Sequence, residues 1–116
     1  MEDTVTAQGW ILVCELKDIV PNTGVCALID EGQVAIFRVG EREVYALDNY
    51  DPNANASVLS RGLIGTVGGR LVVASPLYKQ HFDLRTGECL QAPEHSVRAW
   101  QVKLQDECIL LGPPLQ

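Results

Sequence analysis

Four cysteines and two histidines are the residues of this 116-residue chain best suited to chemistry. By count they would furnish an iron–sulfur or zinc site, which needs thiolates and imidazoles converging on a metal. Their spacing argues otherwise. Cys14, Cys26, Cys89 and Cys108 contain no Cys-x-x-Cys pair, and they lie in or beside expected strands. Buried cysteine behaves as a small hydrophobe, so Cys14, Cys26 and Cys108 are expected to fill core. Cys89, just past the glycine of Arg85-Thr86-Gly87, is the one worth testing for reactivity. His81 follows a Pro-containing loop and His95 lies in a polar connector, where solvation is expected. Ser75, His81 and Asp83 make a hydrolytic triad only as a list, because no nucleophile elbow surrounds the serine. Gly62, Gly65, Gly68 and Gly69 follow no strand closely and open no helix, so they read as turns rather than a dinucleotide fingerprint.

The elements that must position these residues are short strands. Trp10–Cys14, Val25–Ile29, Val34–Val39, Val44–Leu47, Leu71–Ala74, His81–Leu84, Val97–Leu104 and Cys108–Leu111 alternate with Gly, Pro and Asn turns. Val34–Val39 is apolar on both faces and so is expected at the centre of the packing. In Val97–Leu104 the set Trp100, Val102, Leu104 shares one face. A single helical turn is expected over Ala56–Arg61, ending at Gly62. Strands this closely spaced predict an all-β antiparallel sandwich or small barrel. The stretch Asp48–Arg70 is long for a connection in a compact domain, which marks it as functional or as a remnant of function.

The chain has 47% hydrophobic and 21% charged residues and a formal charge of −6, a balance that suits one globular domain. An acidic excess argues against nucleic acid or anionic lipid as partner. No apolar run nears the roughly 20 residues that span a bilayer. The start Met1-Glu2-Asp3-Thr4 carries no secretion pattern, so a cytoplasmic protein with reduced thiols is expected. Residues 1–8 are expected to form a flexible N-terminus, 9–112 a single domain and 113–116 a tail.

Two segments resemble the cluster-binding loops of Rieske-type ferredoxin domains. One is Tyr45-Ala-Leu-Asp-Asn-Tyr-Asp-Pro-Asn53 with Val58-Leu-Ser-Arg-Gly62; the other is Val73-Ala-Ser-Pro-Leu-Tyr-Lys-Gln-His-Phe-Asp-Leu84 with Thr86-Gly87. The resemblance spans about Trp10 to Leu111 and implies a Rieske-like fold with two loops at one tip. It places the four ligand positions on Asp51, Asn53, Ser75 and Tyr78, and Lys79 where the family carries glycine. None of the four supplies a thiolate or imidazole, so the expectation is a scaffold without a [2Fe–2S] cluster or metal. An oxygen-ligated cation at these positions with Asp48 is the alternative; mutual hydrogen bonds that close the loop tips are expected instead. His81 lies three residues past the last position, about 10 Å along a strand, too far to replace the ligand.

The ligand-free pattern is similar to the small subunits of NAD(P)H-dependent assimilatory nitrite reductases. Thr23-Gly-Val-Cys-Ala-Leu28, Gln33-Val-Ala-Ile-Phe-Arg38, Val58-Leu-Ser-Arg-Gly62 and Ala74-Ser-Pro-Leu77 carry this likeness. It implies a large catalytic subunit as partner, holding FAD, an iron–sulfur cluster and sirohaem and reducing nitrite to ammonium. No catalytic residue is expected in this chain. From Arg61 to Arg85 four basic residues face one acid, a +3 segment in a −6 chain. Arg61, Arg70, Tyr78, Lys79 and His81 are therefore candidates for docking the partner, against a reading as scattered solvated charge. A cluster-less adaptor or regulatory domain of another oxidoreductase is the competing function; an electron carrier lacks ligands and a hydrolase lacks a nucleophile–base pair.

Overall fold

The computed structural model describes residues 4–5, 9–77 and 79–115. Twelve strands run in chain order: β1 (Thr4–Val5), β2 (Ile11–Glu15), β3 (Thr23–Ile29), β4 (Gly32–Val39), β5 (Glu43–Asp48) and β6 (Tyr50–Asp51). They continue as β7 (Ala56–Ser57), β8 (Leu63–Val67), β9 (Arg70–Ala74), β10 (His81–Asp83), β11 (Ala99–Gln105) and β12 (Cys108–Pro114). Single 3-10 turns cover Leu16–Asp18, Leu59–Arg61 and Pro93–His95. Seven strands form one sheet in the order β1-β2-β12-β11-β5-β4-β3. β10-β9-β8 form a second, smaller sheet, and β6-β7 a two-stranded ribbon. All these pairings are antiparallel, and the sheets curl into a nearly closed barrel.

β4 shows why the arrangement holds. Alternation sends Val34 and Ile36 into one core with Ile19, Ile109 and Leu111, and Ala35 and Phe37 into another with Leu59, Val73 and Phe82. Its centrality, read from apolar residues on both faces, is thus explained by two separate cores. β5 divides the same way, with Ala46 in the first and Leu47 in the second. Trp100, Val102 and Leu104 share the first core, as their spacing predicts.

Three expectations need correction. The long stretch after Asp48 holds β6, β7, a 3-10 turn and β8. β8 is an exposed edge strand fixed by pairing to β9, so it leaves little apolar periodicity in the sequence. The turn at Leu59–Arg61 is 3-10, and Gly62 is extended at φ −75°. Glycine is needed there for space, since a Cβ would lie 2.4 Å from the Ala74 carbonyl oxygen. At the chain ends, residues 1–3 and 6–8 of the expected flexible N-terminus lie outside the described residues, Thr4–Val5 pair with β2, and Pro113 and Pro114 belong to β12, with Pro114 opposite Trp100. Gly87, by contrast, sits at the left-handed φ of 83° expected of its turn.

Candidate functional site

The ribbon β6-β7 and the link from β9 to β10 form two neighbouring loops. Asn49, buried at the entrance of the first, is its hub. Its Nδ2 donates to Gln33 Oε1 (3.0 Å) and the Ser57 carbonyl (3.2 Å), while its Oδ1 accepts the Ser60 N–H (2.7 Å). Its own backbone accepts from Leu59 N–H at 3.0 Å. One amide side chain thus ties β4, the ribbon and the 3-10 turn together. Sequence reasoning missed Asn49, because nothing in a polar loop sequence marks which polar side chain turns inward.

The second loop closes on Ser75, whose N–H donates to the Gln80 carbonyl (2.8 Å) and whose carbonyl accepts the Lys79 N–H (3.0 Å). That closure puts Lys79 at φ +62°, a left-handed conformation costly for a residue with a Cβ.

Asp51 and Ser75 join the loops. Both are fully buried, and Ser75 Oγ donates to Asp51 Oδ2 at 2.5 Å. Asp51 Oδ1 accepts the Asn53 N–H at 2.9 Å. Asn53 Nδ2 points to the sulfur of Cys89 at 3.8 Å, and its Oδ1 contacts His95 Nδ1. His95 is therefore exposed but engaged. Tyr78 lies outside the described residues.

This donor set does not fit a [2Fe–2S] cluster. The two positions that would offer thiolates to one iron carry a carboxylate and a hydroxyl, and these are bonded directly to each other. Among the described residues, no group of three or more His, Cys, Asp and Glu could hold a metal ion. Asp48 faces away, accepting from Arg98 Nε (3.1 Å) and the Trp100 indole (2.8 Å). The arrangement staples two loops. Ser75 is committed to Asp51, and Asp83 accepts from Arg70 Nε (2.9 Å) and the Arg85 and Thr86 N–H groups. No Ser-His-Asp triad assembles. Burial opposes ionisation of Asp83, but these hydrogen bonds outweigh it and hold the carboxyl below its ordinary range.

The cations divide between two ends of the domain. Arg61 and Lys79 are exposed at the loop tips, while His81, the first residue of β10, bonds Gln91 through Nδ1 (3.0 Å). Arg70 starts β9, about 13 Å of strand from Ala74, and pairs with Asp83 and Glu88 (2.6 Å). Arg85 lies near that end too, over the Tyr45 ring. Exposed apolar side chains flank the tip instead: Leu63 opposite Ala74, Leu77 in the second loop, and Tyr50 beside Asp51.

The thiols reverse the expected order. Cys89 is fully buried, turned inward by its bridge to Phe82, whereas Cys26 is exposed on the edge strand β3. Burial, then the nearby charges of Asp18 and Cys108, push the Cys14 thiol up to about 11.

Residues 9–112 match the Rieske-like [2Fe-2S] domain. The chain belongs to that family. It is 46% identical over 103 residues to the nitrite reductase (NADH) small subunit of Escherichia coli K12, covering 88% of this chain and 95% of the relative. It is also 43% identical over 111 residues to a Klebsiella oxytoca nitrite reductase [NAD(P)H] large subunit, spanning 96% of this chain and only 12% of the relative. The NMR structure of the Escherichia coli protein NirD superposes with a TM-score of 0.82 at 46% identity, covering 88% of this chain and 94% of that one. The described part of this family member contains no helix long and apolar enough to cross a membrane.

Proposed function

We propose that this chain is the small subunit of an assimilatory NAD(P)H-dependent nitrite reductase, a cytoplasmic scaffold that holds no cluster of its own. FAD, an iron–sulfur cluster and sirohaem belong to the large subunit, which carries electrons from NAD(P)H to nitrite. One observation carries this reading: the same domain occurs as a separate small subunit in Escherichia coli and within a large-subunit polypeptide in Klebsiella oxytoca. A domain found both covalently joined to a catalytic chain and beside it works in contact with that chain.

The loop tip is the face we assign to that contact. Leu63 (74% exposed) and Leu77 (54%) leave apolar area that a partner would cover. Arg61 and Lys79 flank it with positive charge on an acidic chain, which orients encounter. Lys79 holds a left-handed conformation that glycine adopts at lower cost, so its side chain has a use beyond the fold. His81 and Tyr78 border the same tip in sequence, and Arg70, held by two carboxylates, serves the fold.

Co-expression with the large subunit tests the reading. Arg61→Glu with Lys79→Glu should weaken co-purification tenfold or more while leaving the melting temperature unchanged. Undiminished association of the double variant would refute the assigned face. Failure of the unaltered chain to associate with any sirohaem protein would refute the function.

A further inference from the structure

The flank of the barrel carries a feature that the loop tip does not use. β5 and β11 pair only through Leu47–Ala99 and Ala46–Trp100. Continued register would set Gln101 against Tyr45 and Val102 against Val44. At that point β11 bulges between Trp100 and Val102 in its pairing with β12, and the ladder to β5 stops.

Two adjoining depressions of about 410 and 450 Å³ open along the break. Trp10, Tyr45 and Trp100 line the first; Ser96 to Ala99 line the second; Arg85 and Leu115 line both. They therefore form one groove with Arg85 midway. Trp10 is fixed there by packing on Gly112, where a Cβ would come within 2.8 Å of the indole.

Charge in the groove is unevenly committed. Arg98 sits over the Trp100 ring (5.0 Å) and pairs with Asp48 at 3.1 Å. Arg85 lies over the Tyr45 ring (5.6 Å), is exposed, and forms no ion pair with the described residues. Glu43 accepts from the Tyr45 hydroxyl at 2.9 Å. A guanidinium stacked on an aromatic face and in no ion pair among the described residues, beside apolar walls, suits a carboxylate next to an apolar side chain. The groove is shallow and open, whereas small-molecule sites enclose most of their ligand. An interrupted strand ladder instead suits an extended backbone.

We propose that this groove docks an extended acidic segment of the large catalytic subunit. One carboxylate pairs with Arg85, and a neighbouring aromatic or branched aliphatic side chain sits between Tyr45 and Trp100. The source of the segment rests on the small-subunit reading; the groove's preference for such a segment does not.

The test uses synthetic peptides tiling the large subunit, titrated into the isotope-labelled full chain and followed by amide and indole NMR shifts. Acidic peptides should move the signals of Tyr45, Arg85 and the Trp100 indole. Arg85→Glu should weaken their binding tenfold or more, and Lys17→Glu, at an exposed cation outside both surfaces, should leave it unchanged. Absence of binding by any acidic peptide, shifts confined to other faces, or equal affinity for Arg85→Glu would overturn the proposal. Co-purification of the intact large subunit, run in parallel, separates the two claims. A stable complex with a silent groove overturns the groove alone, and acidic peptides that bind while no complex forms overturn the small-subunit reading alone.

Discussion

Replacing Ser75 by alanine removes the hydrogen bond that joins the two loops. The Asp51 carboxylate, fully buried, then keeps only the Asn53 N–H as a donor from the described residues. Hydrogen bonds to charged groups contribute about 1.5–3 kcal/mol, and a buried acceptor left short of a donor puts the loss in the upper half of that range, about 2–3 kcal/mol. For a domain of this size that corresponds to a fall in melting temperature of about 8–12 °C. Asp51→Ala strips the acceptor from both Ser75 Oγ and Asn53 N–H and should cost about 1–3 kcal/mol. Because the two side chains act on each other, the double variant should lose less than the sum, with a coupling of at least about 1 kcal/mol. Urea melts followed by tryptophan fluorescence provide the assay, since Trp100 is only 5% exposed. A Ser75→Ala variant within about 0.5 kcal/mol of the parent, or strict additivity in the cycle, would refute the staple.

Further outcomes follow from the same geometry. Asp83 has a folded-state pKa below its unfolded value, so the stability it adds is present above about pH 4 and is lost as pH falls through the folded value. Asp83→Asn should therefore lower the melting temperature at pH 7 and converge with the parent in acid; an equal deficit at both pH values would contradict this. Lys79→Gly should leave stability unchanged or raise it by up to about 1 kcal/mol, while weakening association with the large subunit; denaturant melts and co-purification check the two halves. In alkylation of the native chain at pH 8, mass spectrometry should find Cys26 modified first, slowly because burial raises its pKa, with Cys89 protected until unfolding.

The fold was legible where alternation alone decides it. Val34, Ala35, Ile36 and Phe37 show both buried faces of β4 in four letters, and Gly87 announces its turn because only a left-handed residue fits there. β8 was not legible, because an exposed edge strand is held by its neighbour's backbone rather than by its own apolar pattern. The substituted positions Asp51 and Ser75 were reached through resemblance, but their direct bond, and the hub at Asn49, depend on how the loops fold back. Net charge was the least transferable signal. Arg61, Lys79, Arg70 and Arg85 are close in sequence, yet the β9-β10 hairpin carries two of them to the far end and neutralises Arg70 there. Exposure of the thiols followed tertiary placement too, since Cys26 lies in an apolar run yet is exposed, whereas Cys89, next to Glu88, is buried.

A chain that holds no redox centre and works through a partner should be distinguishable by where the iron goes. The decisive measurement is anaerobic co-expression with the large subunit, isolation of the complex, dissociation in high salt, and iron analysis with visible spectra of each chain. The expected result is a stable complex in which iron and sirohaem stay with the large subunit and this chain is colourless. Stoichiometric iron with a [2Fe–2S] spectrum on this chain, or no complex at all, would contradict it.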